Sequence, residues 1–360
     1  MIGPEEETMK NRNKYFQQLS EIRGKTIAIV YIFEGEDAPG FQHYWVWKSD
    51  IISGWLNAVQ ELECIPYILD VRTFIHKAIN KTLPIIDYVL NLNCGSSELS
   101  SMSLVPSVCS FLSIPCIPCD SAAIVMGENK RISNLLALAE NIPVPKTLLP
   151  NDNNGIYRPL NLGSSIGIKL GECDENNPNG LYQEFIPGYD VTIPIVFNPY
   201  INKLDLLTPL VYIPHSHNPN WIYDTEEKYS ETENFVKLPI LEIEPETREK
   251  ILNFVQIFPI TTYGRIDGRI RTSETELSTN INHQKLSLSN LYFIEINSMP
   301  TIEYSDSFEM SYNHAKNTRE HSFFECINDY CEFVKKPTMI GFLLSSSILS
   351  FKAKFLNQKD

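Results

Sequence analysis

No apolar run in this 360-residue sequence reaches the roughly 20 residues needed to cross a bilayer. Its most apolar stretch, Met339–Phe351, is short and reads as a packed terminal helix. The start, Met1–Lys14, is polar and acidic and lacks the apolar core of a signal peptide. Cysteine is sparse: eight in a chain of this size do not make a disulfide scaffold. Cys116 and Cys119 have metal or redox spacing, but no second pair accompanies them, so buried thiols are expected. A reducing cytoplasm follows as the expected compartment. No G-x-G-x-x-G occurs, which argues against a dinucleotide. Positive charge is also short. Thirty Lys and Arg face 44 Asp and Glu, and the net charge of −14 argues against a nucleic-acid surface. An anionic nucleotide would need local positive charge and a metal.

What is present is ordinary for a globular chain: 43% hydrophobic and 21% charged residues, over a length that allows two or three domains. The first third alternates. Lys25–Phe33, Ile65–Leu69, Ile85–Leu92 and Ile114–Ile117 read as strands. Ser49–Leu62, Val71–Asn80 and Leu104–Leu112 read as helices between them. Repeated β–α–β with short links predicts a parallel sheet covered on both faces. Ligands on such sheets lie at the carboxyl ends of strands, here Glu34–Gln42 and Asn93–Ser97.

Two later stretches share a grammar. Leu291–Asn297 is rich in β-formers, with Glu295 and Asn297 two apart. Tyr263–Ile270 carries Arg265, Asp267 and Arg269 at the same spacing. Residues i and i+2 of a strand share a face. If the two strands are neighbours, Asp267, Glu295 and Asn297 converge beside Arg265. Three hard oxygen donors and a guanidinium suit Mg²⁺ holding a nucleotide's phosphates. An ion-pair patch on a sheet is the alternative.

Between these parts, Ser121–Asn141 has helical spacing and contains Lys130, by itself an ordinary solvated lysine. Arg158 precedes Gly163-Ser164-Ser165-Ile-Gly167, whose free amides and hydroxyls could cradle phosphate or make a plain turn. Tyr182–Ile186 reads as a strand that could offer backbone groups to an adenine edge, and Asp190 follows where it could meet a ribose. Trp221–Tyr229 is polar and punctuated by aromatics, as a lid would be.

In order and content these pieces resemble the D-alanine–D-alanine ligase branch of the ATP-grasp superfamily, over roughly residues 25 to 335. The most specific are Gly163-Ser164-Ser165-Ile-Gly167, Tyr223-Asp-x-x-x-Lys228-Tyr229, Gly264-Arg265-Ile-Asp267 and Glu295-Ile-Asn297-Ser-Met-Pro300. The resemblance implies an α/β chain, α+β overall: an N-terminal parallel α/β domain, then a two-lobed ATP-grasp fold with antiparallel sheets. The expected divisions are an extension (1–24), the N-terminal domain (25–120), a shortened central lobe (121–190), the C-terminal catalytic domain (191–335) and a helical tail (336–360). It implies ATP and two Mg²⁺, with Mn²⁺ as a substitute. Asp267, Glu295 and Asn297 look like the metal ligands, and Arg265 like the residue steadying an acyl phosphate. Lys130 and Lys228 are similar to phosphate-binding lysines, with Arg158 in the place of another. Gln183, Glu184 and Ile186 resemble the adenine hinge, and Asp190 the ribose acid. Ser165 and Tyr223 join the nucleotide set. Ser164 and Tyr229 resemble the pair that tethers the lid Trp221–Thr232.

The implied activity joins a carboxylate, through an acyl phosphate, to an amine. Its partners are small-molecule carboxylates and amines, with no nucleic acid or membrane, and a homodimer is compatible. The sequence departs from the pattern where substrates sit. No glutamate in Phe41–Ser49 matches the one that fixes the first ammonium; His43, Tyr44, Trp45 and Trp47 stand there. Thr301 replaces a glycine after Pro300. Substrates of specialised metabolism are therefore expected, with the loop Glu34–Trp47 forming a pocket for a bulkier acyl group. A true D-alanine–D-alanine ligase, a small-molecule kinase and a catalytically weak nucleotide-binding protein are the alternatives.

Overall fold

The computed structural model describes residues 4–33, 49–95, 101–149, 152, 155–163, 165–171, 180–224, 227, 230, 232, 234–272, 285–303 and 306–357. After helix α1 (Pro4–Ser20), the expected alternation appears. It runs β1 (Thr26–Tyr31), α2 (Ser49–Glu61), β2 (Ile65–Asp70), α3 (Val71–Ile79), β3 (Tyr88–Asn91), α4 (Leu104–Leu112) and β4 (Cys116–Ile117). The sheet is parallel in the order β2-β1-β3-β4. Ile27, Ala28, Ile29 and Val30 in β1 are fully buried, as a strand covered on both faces requires. β3 starts later than the apolar run suggests. Ile85 is exposed, and Asp87 accepts from the Thr26 amide at 2.8 Å and Lys25 at 2.9 Å, which fixes the approach to the strand.

The stretch Ser121–Asn141 is two helices, not one: α5 (Ser121–Glu128) and α6 (Lys130–Ala139). Asn129 separates them in extended conformation and accepts from the amides of Arg131 and Ile132. An N-cap side chain competes with helix continuation, so the chain turns there. Lys130 thus opens a helix and is buried, rather than lying solvated within one. β5 (Gly155–Pro159), β6 (Lys169–Leu170) and β7 (Gly180–Glu184) form a small antiparallel sheet, order β6-β5-β7.

The large antiparallel sheet follows. It contains β8 (Gly188–Asn198), β9 (Lys203–Leu206), β10 (Leu210–Pro214) and β11 (Phe235–Pro239). After β12 (Glu242–Ile243) and α7 (Pro245–Ile257) come β13 (Tyr263–Arg271), β14 (Lys285–Leu286) and β15 (Leu291–Asn297). Its order is β11-β10-β8-β13-β15, with β9 beside β8. Its covered face packs Val191, Ile193, Ile266 and Phe293 against Phe254 of α7 and Ala137 of α6.

Three helices close the chain: α8 (Ser307–Asn317), α9 (Phe324–Phe333) and α10 (Met339–Asn357). α10 lies in the core between α2 and β8. Phe342, Leu343, Leu344 and Ile348 are fully buried, each contributing about 1.5–3 kcal/mol by leaving water. Three of its buried serines bond back to carbonyls a turn away. No described helix is long and apolar enough to cross a membrane. The seven described cysteines are free thiols; Cys116 and Cys119 are buried, and burial pushes both up.

Candidate active site

Strand register builds the site. β13 and β15 pair so that Arg265 faces Asn297 and Asp267 faces Glu295. On its other edge β13 pairs with β8, placing Asp267 beside Thr192 and Arg269 beside Asp190. One face of the sheet therefore carries Asp190, Thr192, Arg265, Asp267, Arg269, Glu295 and Asn297. Tyr212 joins from β10, opposite Asp190. The β13–β15 register shifts after Asp267, at Gly268. The extra residue is Ile294 of β15, and a Cβ on Gly268 opposite it would lie 2.8 Å from the Tyr292 carbonyl, so glycine suits that position.

The charges on this face are paired. Asp267 accepts three hydrogen bonds from Arg265, at 2.9, 3.1 and 2.8 Å, one from Thr192 at 2.7 Å and one from Asn297 at 2.6 Å. Burial would lower the Arg265 pKa, but Asp267 outweighs it and holds the guanidinium above its ordinary value. Lys130 lies 3.2 Å from Glu295 and donates to the Leu162 carbonyl at 2.6 Å. Arg158 sits on β5, not in the loop after it. It is buried, bonds the Ile294 carbonyl at 3.2 Å and the Gln183 side chain, and keeps Nε without a described partner. Burial lowers its pKa, opposed by Glu295.

The expected hinge is held by a residue to which the sequence assigned no role. Arg269, 5% exposed, donates to the carbonyls of Ile186 (2.8 Å), Gly188 (2.6 Å) and Trp221 (3.0 Å), and pairs with Asp190 at 2.9 Å. Asp190 also accepts from the Tyr223 amide at 3.1 Å. Ser165, with left-handed backbone, donates to the Tyr223 carbonyl at 3.0 Å. This contact ties the glycine-serine loop to the expected lid. Trp221 and Tyr223 pack against each other and against Phe235, and Tyr223 also against Tyr212, in tilted or edge-on contacts at the base of the expected lid. Ser164, Lys228 and Tyr229, expected to make the catalytic tether and a phosphate contact, lie outside the described residues. So does the loop Glu34–Trp47.

A cavity of about 520 Å³ opens over the charged face. Lys130, Arg158, Ser165, Glu184, Ile186, Asp190, Tyr223, Arg265, Asp267, Glu295 and Asn297 all line it. Gln183 does not. Its amide is 2% exposed and donates to Asn134 (3.0 Å) and the Pro145 carbonyl (2.9 Å), locking the small sheet to α6. Alternation on β7 turns the Gln183 side chain inward. Thr192, Tyr212 and Asp306 line the cavity as well, unforeseen. Period-2 spacing within β8 and β10 was the only signal for Thr192 and Tyr212, and Asp306, at the start of α8, had none. Among the described residues no group of three or more His, Cys, Asp or Glu forms a metal cluster; the donor set here is two carboxylates and an amide.

By sequence alone the chain matches no family model and no curated protein significantly. By structure it is similar to the D-alanine–D-alanine ligase of Bacillus anthracis, solved with ATP, at 14% identity and TM-score 0.58 over 93% of this chain and 99% of that one. The VanG D-Ala:D-Ser ligase of Enterococcus faecalis is similar at 14% identity and TM-score 0.54, covering 91% of this chain and 100% of that one. The D-alanyl-alanine synthetase A of Vibrio cholerae is similar at 15% and 0.55, over 90% and 99%. The chain therefore has the ATP-grasp fold of the D-alanine–D-alanine ligases.

Proposed function

We propose that this protein is an ATP-dependent carboxylate–amine ligase. The observation that carries the reading is the shared sheet face of Arg265, Asp267, Glu295 and Asn297, with Lys130 against Glu295, inside one cavity of a ligase fold. In this reading a donor carboxylate attacks the terminal phosphate of ATP and ADP leaves. An amine then attacks the acyl phosphate, phosphate leaves, and the amine's proton passes to solvent. Arg265 faces the negative charge that develops in both steps and Asp267 keeps its guanidinium aimed. Lys130 and Arg158 supply fixed positive charge for the phosphates, which phosphoryl transfer needs more than a nucleophile. The Ser165–Tyr223 contact holds the lid's base against the loop, favouring water exclusion.

Asp267, Glu295 and Asn297 suit Mg²⁺: hard oxygen donors, both carboxylates 22–23% exposed toward the cavity. When bound, Mg²⁺ neutralises phosphate charge. Free thiols at the seven described cysteines suit a reducing cytoplasm. The rebuilt substrate positions favour amino-acid or peptide substrates of specialised metabolism. The test is phosphate release across carboxylates and amines, with products weighed by mass spectrometry. Release that needs both partners, with a condensed product, is expected. Release with a phosphorylated donor as end product would make it a kinase, and D-alanyl-D-alanine as the best product would make it a cell-wall ligase.

A further inference from the structure

We propose that Asp306 orients the amine acceptor beside Arg265 and takes the proton that leaves the amine as the C–N bond forms. The inference rests on the ligase reading above. Asp306 has the extended backbone of an N-cap at the start of α8, φ −92° and ψ 179°, yet its side chain makes no capping hydrogen bond. Asp70, Asp120 and Asn129, at the starts of α3, α5 and α6, each accept from a first-turn amide, as such residues usually do. The Asp306 carboxylate turns instead to the cavity, which it lines, and is 27% exposed, so a ligand can reach it. Its Oδ1 pairs with Lys237 at 3.4 Å. Among the described residues no hydrogen bond engages its Oδ2.

Strand order gives this carboxylate its role. On the sheet face Arg265 has β15 on one flank, with Glu295 and Asn297, and β8, β10 and β11 on the other. Lys237 stands on β11 opposite Tyr212 of β10, with its Nζ 5.5 Å from the centre of the Tyr212 ring. Asp306 is thereby held on the β10–β11 side. Burial raises the Tyr212 pKa and the charge of Asp306 raises it further, opposed by Arg265. In the ligase reading the acyl oxygen faces Arg265, and the phosphates lie on the flank of Lys130, Glu295 and Asn297. The incoming amine and the departing phosphate need different sides of the acyl carbon, and the amine's side is then that of Asp306. The lone pair of the neutral amine forms the C–N bond, which leaves the nitrogen positive. One N–H proton passes to Oδ2 of Asp306. The C–O bond to phosphate breaks, phosphate leaves with the electron pair, and Asp306 gives the proton to solvent. Lys237 steadies the carboxylate through the other oxygen.

The experiment compares two kinds of acceptor for one acyl phosphate. ATP is supplied with glycine, alanine, leucine or phenylalanine as donor, in both enantiomers where they exist. The acceptor is hydroxylamine, or glycine, alanine, glycinamide or ethylamine. Hydroxylamine is weakly basic, so its adduct loses a proton to water readily and depends little on a protein base, whereas the alkylamines depend on one. In Asp306→Asn the ratio of amide to hydroxamate is expected to fall at least about 30-fold, with the KM of the amine raised. Asp306→Glu should return part of the ratio, and Lys237→Gln should lower it by a smaller factor than Asp306→Asn. Amide and hydroxamate lost in equal proportion would make Asp306 a merely structural residue and overturn the inference, with the ligase reading intact. Hydroxamate but no amide from the parent would overturn it as well. No hydroxamate from the parent with any donor would overturn the ligase reading too. If Asp306→Asn fails to fold, Asp306→Glu and Lys237→Gln decide, and parent-like ratios in both would overturn the inference.

Discussion

Arg265 grips the carboxylate of Asp267 two residues along the same strand, Nε to Oδ1 at 2.9 Å and Nη2 to Oδ2 at 2.8 Å. Neither partner depends on a loop for its position. β13 sets their spacing, and its pairing with β15 and β8 brings Asn297 and Thr192 onto the same carboxylate. Under the ligase reading proposed above, a centre built on rigid strands would need little reorganisation before reaction, which is what electrostatic catalysis requires.

Glu295→Gln keeps the side chain's shape and removes the charge facing Lys130. Turnover is expected to fall at least about 100-fold, with a melting temperature close to that of the parent. Parent-like phosphate release would take Glu295 out of the site. Asp267→Ala, by contrast, leaves a part-buried guanidinium without its counter-charge and is expected to cost about 3 kcal/mol in denaturant unfolding as well as activity.

Arg269→Met removes the fork that holds the carbonyls of Ile186, Gly188 and Trp221 and pairs with Asp190. The expected result is a loss of about 3 kcal/mol or more, and a KM for ATP raised more than tenfold with a smaller change in kcat. Arg269→Lys restores little, because a single ammonium cannot span these acceptors. An unchanged KM would mean that the hinge does not contact nucleotide.

His321, between α8 and α9, accepts a hydrogen bond from the Phe323 amide at 3.2 Å. Burial, aided by Arg248 and His314 and opposed by Asp205, lowers its pKa from 6.5 to about 4. The unfolded chain therefore binds this proton at higher pH than the folded one. The stability His321 contributes is full above about pH 6.5 and falls away down to about pH 4. His321→Gln should flatten that part of the stability–pH curve, by an amount on the order of 1–3 kcal/mol. Parallel curves for parent and variant would show that another group titrates there.

Much of the site was legible because strands repeat every two residues. Asp267, Glu295 and Asn297 could be placed on one face without knowing the fold, and the first four strands followed from apolar runs alternating with helices. Turn and cap chemistry was harder. Asn129 looked like one polar residue within an apolar helical period, and only its side-chain bonds to Arg131 and Ile132 reveal a helix start. Gln183 and Asp190 both lie near the hinge in sequence, yet the first faces inward and the second faces the cavity. Which face of β7 looks inward depends on what covers it, and α6 does.

By itself the sequence determined the element types, the spacing of the donors and the apolar character of Met339–Phe351, since these are properties of neighbours along the chain. The tertiary structure alone decided that β8 lies between β10 and β13 and that Arg269 reaches five partners in two segments. It also made the last helix a central strut against α2 and β8 rather than a tail. The physical reason is the same in each case. Burial and charge pairing are settled by contacts between residues far apart in sequence, and a local pattern carries the capacity for such a contact but not the identity of its partner.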